Sequence, residues 1–239
     1  MIVQAIAIAL WVICLVVVPL ALELSFRTTT YYKQKRIGFF STLFNKGAYG
    51  EYLIYKNLRY YEPKGAKFLF NVYLPSQSKN VDSTEIDVLM ITTKAIYVFE
   101  SKNYSGWIFG NDKQKMWTQC LPQGQGRKAL KEKFYNPVWQ NNAHIKALHS
   151  ILSNEAIPIF SIITFSDRCT LKDVSLSNSP YTSVIYRKDT EKTYRNIEKN
   201  LPTIFDKNTV NHIYNSLIPY TDISDEAKQQ HISQINNIS

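Results

Sequence analysis

The chain opens on an unbroken apolar run. No charged residue occurs from Ile2 to Leu22, and Glu23 and Arg27 close the segment. As a helix this run rises roughly 30 Å, the thickness of a bilayer's hydrocarbon core. Gln4 lies near its start and Pro19 in its last turn, where a membrane helix tolerates proline. A cleaved signal peptide would open on basic residues and end in a small-x-small site, and this segment does neither. The pattern predicts a retained transmembrane anchor over residues 1–24. Arg27, Lys33, Lys35 and Arg36 follow at once. The positive-inside rule then puts residues 27–239 in the cytoplasm, and the same cations suit anionic headgroups.

Beyond the anchor the pattern changes period. Residues 25–42 read as a juxtamembrane linker with room for a short helix. A helix is predicted from about Lys46 to Leu58. Strand-like runs follow at Ala66–Tyr73, Ser83–Ile91, Ala95–Lys102, Gly106–Gly110 and Lys115–Cys120. Residues 121–133 mix glycine, proline and cations and read as a loop leading into a helix over Asn136–Ser153. Val138, Ile145, Leu148 and Leu152 fall on or near one stripe of that helix. Ile157–Phe165 is nearly all apolar, which suits a strand buried on both faces. Thr182–Tyr186 reads as a last strand, residues 189–217 as two helices, and the tail from Thr221 as polar and frayed. The order predicts an α/β sandwich, a mixed β-sheet flanked by helices. One main domain at 43–165 carries a strand and helical extension at 166–239.

Composition narrows the chemistry. Lysine and arginine exceed aspartate and glutamate by 28 to 19, so the partner expected is a polyanion, nucleic acid or an anionic bilayer. The three cysteines, Cys14, Cys120 and Cys169, show no C-x-x-C spacing, and the four histidines are scattered, which argues against a zinc site. Lys113, Lys115, Arg127, Lys128 and Lys131 form a basic stretch along which a phosphate backbone could lie. Tyr104, Trp107 and Trp117 are interleaved with it. They could stack on bases, but aromatics in strands are more often core, and core is favoured for both tryptophans.

Four charges fall within two of the strands: Glu85 and Asp87, then Glu100 and Lys102. A two-residue turn at Thr93-Lys94 would pair Thr92 with Ala95, Asp87 with Glu100, and Glu85 with Lys102. Opposed residues stand about 5 Å apart at Cβ. Thr-Lys is not a favoured hairpin turn, so the turn is the weak step. The face opposite the acids reads as apolar through Ile86, Val88, Met90 and Phe99. The acidic face itself turns apolar toward the turn through Leu89, Ile91, Ile96 and Val98. On spacing alone, a salt-bridged strand pair and a metal site account for the four charges equally. Two opposed carboxylates are tolerated more readily around a cation, and oxygen ligands suit magnesium.

Further segments extend the pattern. Gly47-Ala48-Tyr49-Gly50-Glu51 has a G-x-x-G-E form. Glu85-Ile86-Asp87 and Glu100-Ser101-Lys102 have a D…(D/E)-x-K form, and Asn136-Pro137-Val138-Trp139-Gln140-Asn141 has an N-P-x-x-Q form. In this order they resemble the NERD (nuclease-related domain) family of the restriction-endonuclease-like nucleases. The resemblance covers about residues 43–165. It implies a restriction-endonuclease-like core with an acidic cluster at one sheet edge. By position it implies that Asp87, Glu100 and the Ser101 carbonyl hold Mg2+ or Mn2+. It further implies that Lys102 orients water, Glu51 completes the acidic cluster and Gln140 reaches water or phosphate. Taken alone, Glu51 could be a first-turn helix acid and Gln140 an exposed helix residue. Ile86 stands where the superfamily often has proline.

The expected function is a membrane-anchored, magnesium-dependent endonuclease acting on DNA. The alternative is a tethered module on the same fold that grips nucleic acid or a protein without cutting.

Overall fold

A computed structural model describes residues 2–77, 81–124, 126–152, 157–177 and 179–236. The expected helix end at Ser153, Gln125 of the basic loop and the last three residues of the tail lie outside them. The chain folds as α/β with two mixed sheets flanked by helices, where the sequence led us to expect one sheet. The first contains β1 (Lys67–Pro75), β2 (Ser83–Ile91), β3 (Ile96–Lys102), β7 (Ile159–Phe165) and β9 (Thr182–Tyr186), in the order β1-β2-β3-β7-β9. Strands β1 to β3 are antiparallel, and β3, β7 and β9 are parallel. The second contains β4 (Gly106–Asn111), β5 (Met116–Leu121), β6 (Leu130–Tyr135) and β8 (Cys169–Ser175), in the order β6-β5-β4-β8.

Helices cover both faces of the first sheet. On one face, Ile54, Tyr55 and Leu58 of α5 (Lys46–Leu58) pack on Phe68, Phe70, Val88, Met90, Tyr97 and Phe99, joined by Tyr194 of α7 (Thr190–Lys199). On the other, Ala147 and Leu148 of α6 (Pro137–Leu152) and Val210, Ile213 and Leu217 of α8 (Lys207–Leu217) pack on Leu69, Leu89, Ile91, Ile96 and Val98. Every residue of β7 is buried, as a strand covered on both faces requires. A smaller core holds Ile108, Trp117, Val138 and Phe165 where the sheets meet.

Two strands escaped the hydrophobic pattern. β6 lies where a loop into a helix was expected, and pairs with β5 along its whole length. It is an edge strand, and Lys131 and Lys133 are solvent-exposed, as charges that discourage further pairing should be. That polar composition hid it. β8 is half exposed and pairs in parallel with β4 through an irregular register at Ile108/Phe109.

The N-terminal helix is long and apolar enough to cross a membrane. It runs as α1 (Ile2–Val12), a π-helical turn at Ile13–Val17 and α2 (Val18–Arg27). The π turn precedes Pro19, whose ring would clash with the Leu15 carbonyl in a regular helix. Its far end is folded into the domain. Phe26 is buried with its ring 5.1 Å from that of Tyr52 and 5.5 Å from that of Phe39. Glu23 accepts the Phe39 backbone N–H at 2.8 Å. Residues 25–42 therefore lie against the core, carrying α3 (Thr30–Lys35) and α4 (Phe39–Phe44), with Tyr31 and Thr42 fully buried. At the other terminus α9 (Asp225–Asn236) docks on β2, where the sequence suggested a frayed tail.

Candidate active site

The β2–β3 hairpin has the predicted register: Val88 faces Phe99, Leu89 faces Val98, Met90 faces Tyr97 and Ile91 faces Ile96. The unfavoured Thr-Lys turn is held by Thr92. Its backbone N–H reaches the Ala95 carbonyl at 3.0 Å, and its Oγ1 accepts the N–H groups of Lys94 and Ala95 at 3.1 and 3.2 Å. The ladder ends at Val88–Phe99, one position short of Asp87 and Glu100.

The cause lies on β1. Asn71 has φ of 50° and drops out of the β1–β2 ladder opposite Asp87. Alternation inverts there. Val72, Leu74 and Ile86 pack with Leu69, Leu89 and Ile91, whereas the sequence grouped Ile86 with Val88, Met90 and Phe99. Polar side chains from both helix layers reach this point, Glu51 from α5 and Gln140 and His144 from α6.

Glu100 is 2% exposed, with Lys102 Nζ on Oε1 at 2.7 Å and His144 Nε2 on Oε2 at 3.2 Å. Lys102 also donates to Gln140 Oε1 at 2.9 Å. Asp87 Oδ2 accepts the Ser101 backbone N–H at 2.7 Å. Glu51, on α5, takes Lys35 Nζ at 3.0 Å. Lys35 also donates to Asn71, whose amide donates to Glu85. The structure thus brings Asp87, Glu100, Ser101, Lys102, Glu51 and Gln140 together.

Burial and nearby carboxylates disfavour ionisation of two of these acids. Burial, then Glu100, Glu51 and Glu85, hold the Asp87 carboxyl well above its ordinary range, against the pull of Lys102. Burial likewise raises Glu51, with Lys35 opposing and Glu85 and Glu100 adding. Glu100 goes the other way. Burial pushes it up, but Lys102 and His144 outweigh that and leave it lowered. Burial works to lower Lys102, but Glu100 prevails and its pKa is raised.

The motif residues place these groups. A Cβ on Gly50 would stand 2.5 Å from Ser101 Oγ, so only glycine lets α5 approach β3 and deliver Glu51. Asn136 caps α6 by accepting the Val138 N–H at 2.9 Å, and its amide donates to the carbonyls of Asn111 and Gln114. Asn141 donates to the Val98 carbonyl at 3.0 Å, which seats α6 on β3 with Gln140 and His144 toward Glu100.

Several participants escaped the sequence reading. His144 bridges Glu100 and Thr84 Oγ1, the latter at 2.6 Å from Nδ1. Its signal was its place four residues after Gln140, one helical turn on. Lys35 read as a headgroup cation and instead faces Glu51. His231, from α9, meets Ser83 Oγ at 2.9 Å and lies 3.8 Å from Glu85. Neither carried a local signal.

The basic stretch is elsewhere. Lys113 and Lys115 lie by the β4–β5 turn, Arg127 and Lys128 in the loop before β6, and Lys131 on β6, all exposed. Trp117 is fully buried as expected, but Trp107 is 43% exposed, against the core placement favoured from sequence.

The donor set can be tested against a divalent ion. Among the described residues no three histidine, cysteine, aspartate or glutamate side chains are arranged to hold a metal. Asp87 and Glu100 offer two hard oxygen donors, and the Ser101 carbonyl follows Glu100 directly in the chain. Four carboxylates, Glu51, Glu85, Asp87 and Glu100, meet two lysines, Lys35 and Lys102, and this surplus of acid suits a cation, so the residues fit.

Fold and site together define a mixed α/β protein with an acid–acid–lysine cluster at the end of a hairpin. The nuclease-related domain profile matches residues 46–166, and the chain belongs to that family, whose fold is placed with the restriction-endonuclease-like proteins. An uncharacterized protein of Bacillus anthracis is 32% identical over 192 residues, covering 80% of this chain and 84% of that one. No solved structure matches.

Proposed function

We propose that this chain is a membrane-anchored, magnesium-dependent endonuclease that hydrolyses DNA phosphodiester bonds. The observation that carries the reading is the meeting of Asp87, Glu100 and Lys102 where the hairpin ladder stops. Asp87, Glu100 and the Ser101 carbonyl would hold Mg2+ or Mn2+, which supplies Lewis acidity at the phosphoryl oxygen and activates water. Lys102 orients the attacking water and offsets charge on the phosphoryl group in the transition state. Gln140 holds the Lys102 ammonium in place, and His144 fixes the Glu100 carboxylate. Glu51 completes the acidic cluster. Burial and the neighbouring carboxylates disfavour the Asp87 anion, and a cation held there would favour it. Lys113, Lys115, Arg127, Lys128 and Lys131 would track the DNA backbone. Residues 2–22 would span the bilayer, with residues 27–239 in the cytoplasm.

One observation favours a second reading. Both Glu100 oxygens are already engaged, by Lys102 and His144, which balances that acid without an ion. A non-catalytic binding module would keep such an arrangement. The test uses the full chain in detergent with magnesium and supercoiled plasmid. Wild type should nick, and Asp87→Ala and Lys102→Ala should each be slower by about a thousandfold. Equal DNA binding by all three proteins with no nicking by any would select the module.

A further inference from the structure

The parallel strands β3, β7 and β9 end side by side, and each is followed by a residue of one polar group: Asn103 after β3, Arg168 after β7 and Arg187 after β9. In open α/β sheets this margin, outside the carboxyl ends of the strands, is where ligands bind. Asn103 holds both guanidinium groups. Arg168 Nη2 donates to its Oδ1 at 3.2 Å and to its carbonyl at 3.1 Å. Arg187 Nη1 and Nη2 reach the same Oδ1 at 3.5 and 3.4 Å.

Arg187 is 4% exposed, and its Nε has no hydrogen-bond partner. Among the described residues neither Arg168 nor Arg187 forms an ion pair. Asp167, the acid whose charge Arg187 feels, instead accepts the Lys188 backbone N–H at 3.1 Å. Leaving a buried guanidinium without a carboxylate in direct contact is costly, and bringing a second beside it adds repulsion. A second buried polar atom without a partner, Ser101 Oγ, lies at the same spot. It and Arg187 Nη2 fall 2.5 and 3.2 Å from where a Gly50 Cβ would stand.

We propose that Arg168 and Arg187, gathered on Asn103, form a phosphate subsite that takes a backbone phosphate of the nucleic acid beside the scissile one. Two planar forks that lack an acid match the oxygens of a phosphodiester. Asn103, Arg187 and Ser101 surround Gly50, the neighbour of Glu51, and the Ser101 N–H donates to Asp87, so the subsite adjoins the acidic cluster. Arg168 is exposed and gives the phosphate its entry. The inference rests on the nuclease reading for its substrate, yet it separates from it in experiment.

The test measures binding of a short fluorescein-labelled DNA duplex by the full chain in detergent. Calcium replaces magnesium, and salt is titrated. Arg168→Gln should bind about tenfold more weakly, with a salt slope shallower by about one, and Arg187→Lys, which keeps the charge and loses the planar fork, should bind about tenfold more weakly with little change in slope. Arg168→Gln should melt as wild type does, because the side chain is exposed. Lys199→Gln, near the turn end of the sheet, removes the same charge and should bind as wild type does. In magnesium, Arg168→Gln should raise KM for nicking and spare kcat. If wild type does not nick but both arginine variants still weaken duplex binding, the subsite stands and the nuclease reading falls. Wild-type affinity and salt slope in both arginine variants, or no duplex binding by wild type, would overturn the subsite.

Discussion

The two ends of one hairpin behave differently. Toward the turn, β2 and β3 run in register, apolar on both faces, with Thr92 closing the turn. Toward the open end the ladder stops, Asn71 takes a left-handed conformation, the alternation inverts and four carboxylates crowd a buried place. The first end follows every rule of strand pairing. The second breaks several at once, and such breaks concentrate where a protein works. The comparison teaches that the regular end stabilises the fold, and that the irregular end gathers acids at a cost to it.

Substitutions at the two ends should part stability from activity. The largest effect belongs to Asp87→Asn, which should cut plasmid nicking by about a thousandfold while leaving the metal-free melting temperature at or above wild type. A large drop in melting temperature would mean that Asp87 serves the fold. At the regular end, Leu89→Ala should cost about 3 kcal/mol in denaturant unfolding. Phe26→Ala should cost a similar amount if the end of the N-terminal helix is part of the core; a change within error would make residues 25–42 a mere tether. Asn71→Val should cost about 1–2 kcal/mol, because a β-branched residue resists positive φ, whereas Asn71→Gly should be tolerated better.

The smallest expected effect is pH dependent. Asp87 and Glu51 carry raised carboxyl pKa values, so the folded state binds their protons more tightly than the unfolded chain does. Their contribution is fully present below the unfolded pKa and is lost as pH rises through the folded values. Glu100, with its lowered pKa, acts in the opposite sense, losing its contribution as pH falls. In EDTA the melting temperature of wild type relative to Asp87→Asn should therefore fall as pH rises above the ordinary carboxylate range. Magnesium should reverse that fall. A pH-independent difference would show that the Asp87 proton is not linked to folding.

Much of this was legible in the sequence. The hairpin register followed from apolar alternation and the length of the turn, and α5, β2 and β9 have the bounds the pattern predicted. The motif residues fell together because each sits on an element whose position a cap or a glycine fixes, as Gly50 and Asn136 do. What could not be read depends on contacts distant in the chain. Asn71 sits in an alternating run and gives no sign of its positive φ. Lys35 and His231 come to the acids from either end of the chain, through packing of Phe26, Tyr31 and α9 that leaves no local period. β6 was masked by the charges that protect an edge.

The central claim is that Asp87 and Glu100 hold one divalent cation beside Lys102, and Mn2+ titration of the full chain in detergent, followed by the electron paramagnetic resonance of the free ion, tests it most directly. The account predicts one bound Mn2+ in wild type, displaced by magnesium and lost in both Asp87→Asn and Glu100→Gln. Binding unchanged in both variants, or no binding by wild type, would contradict it.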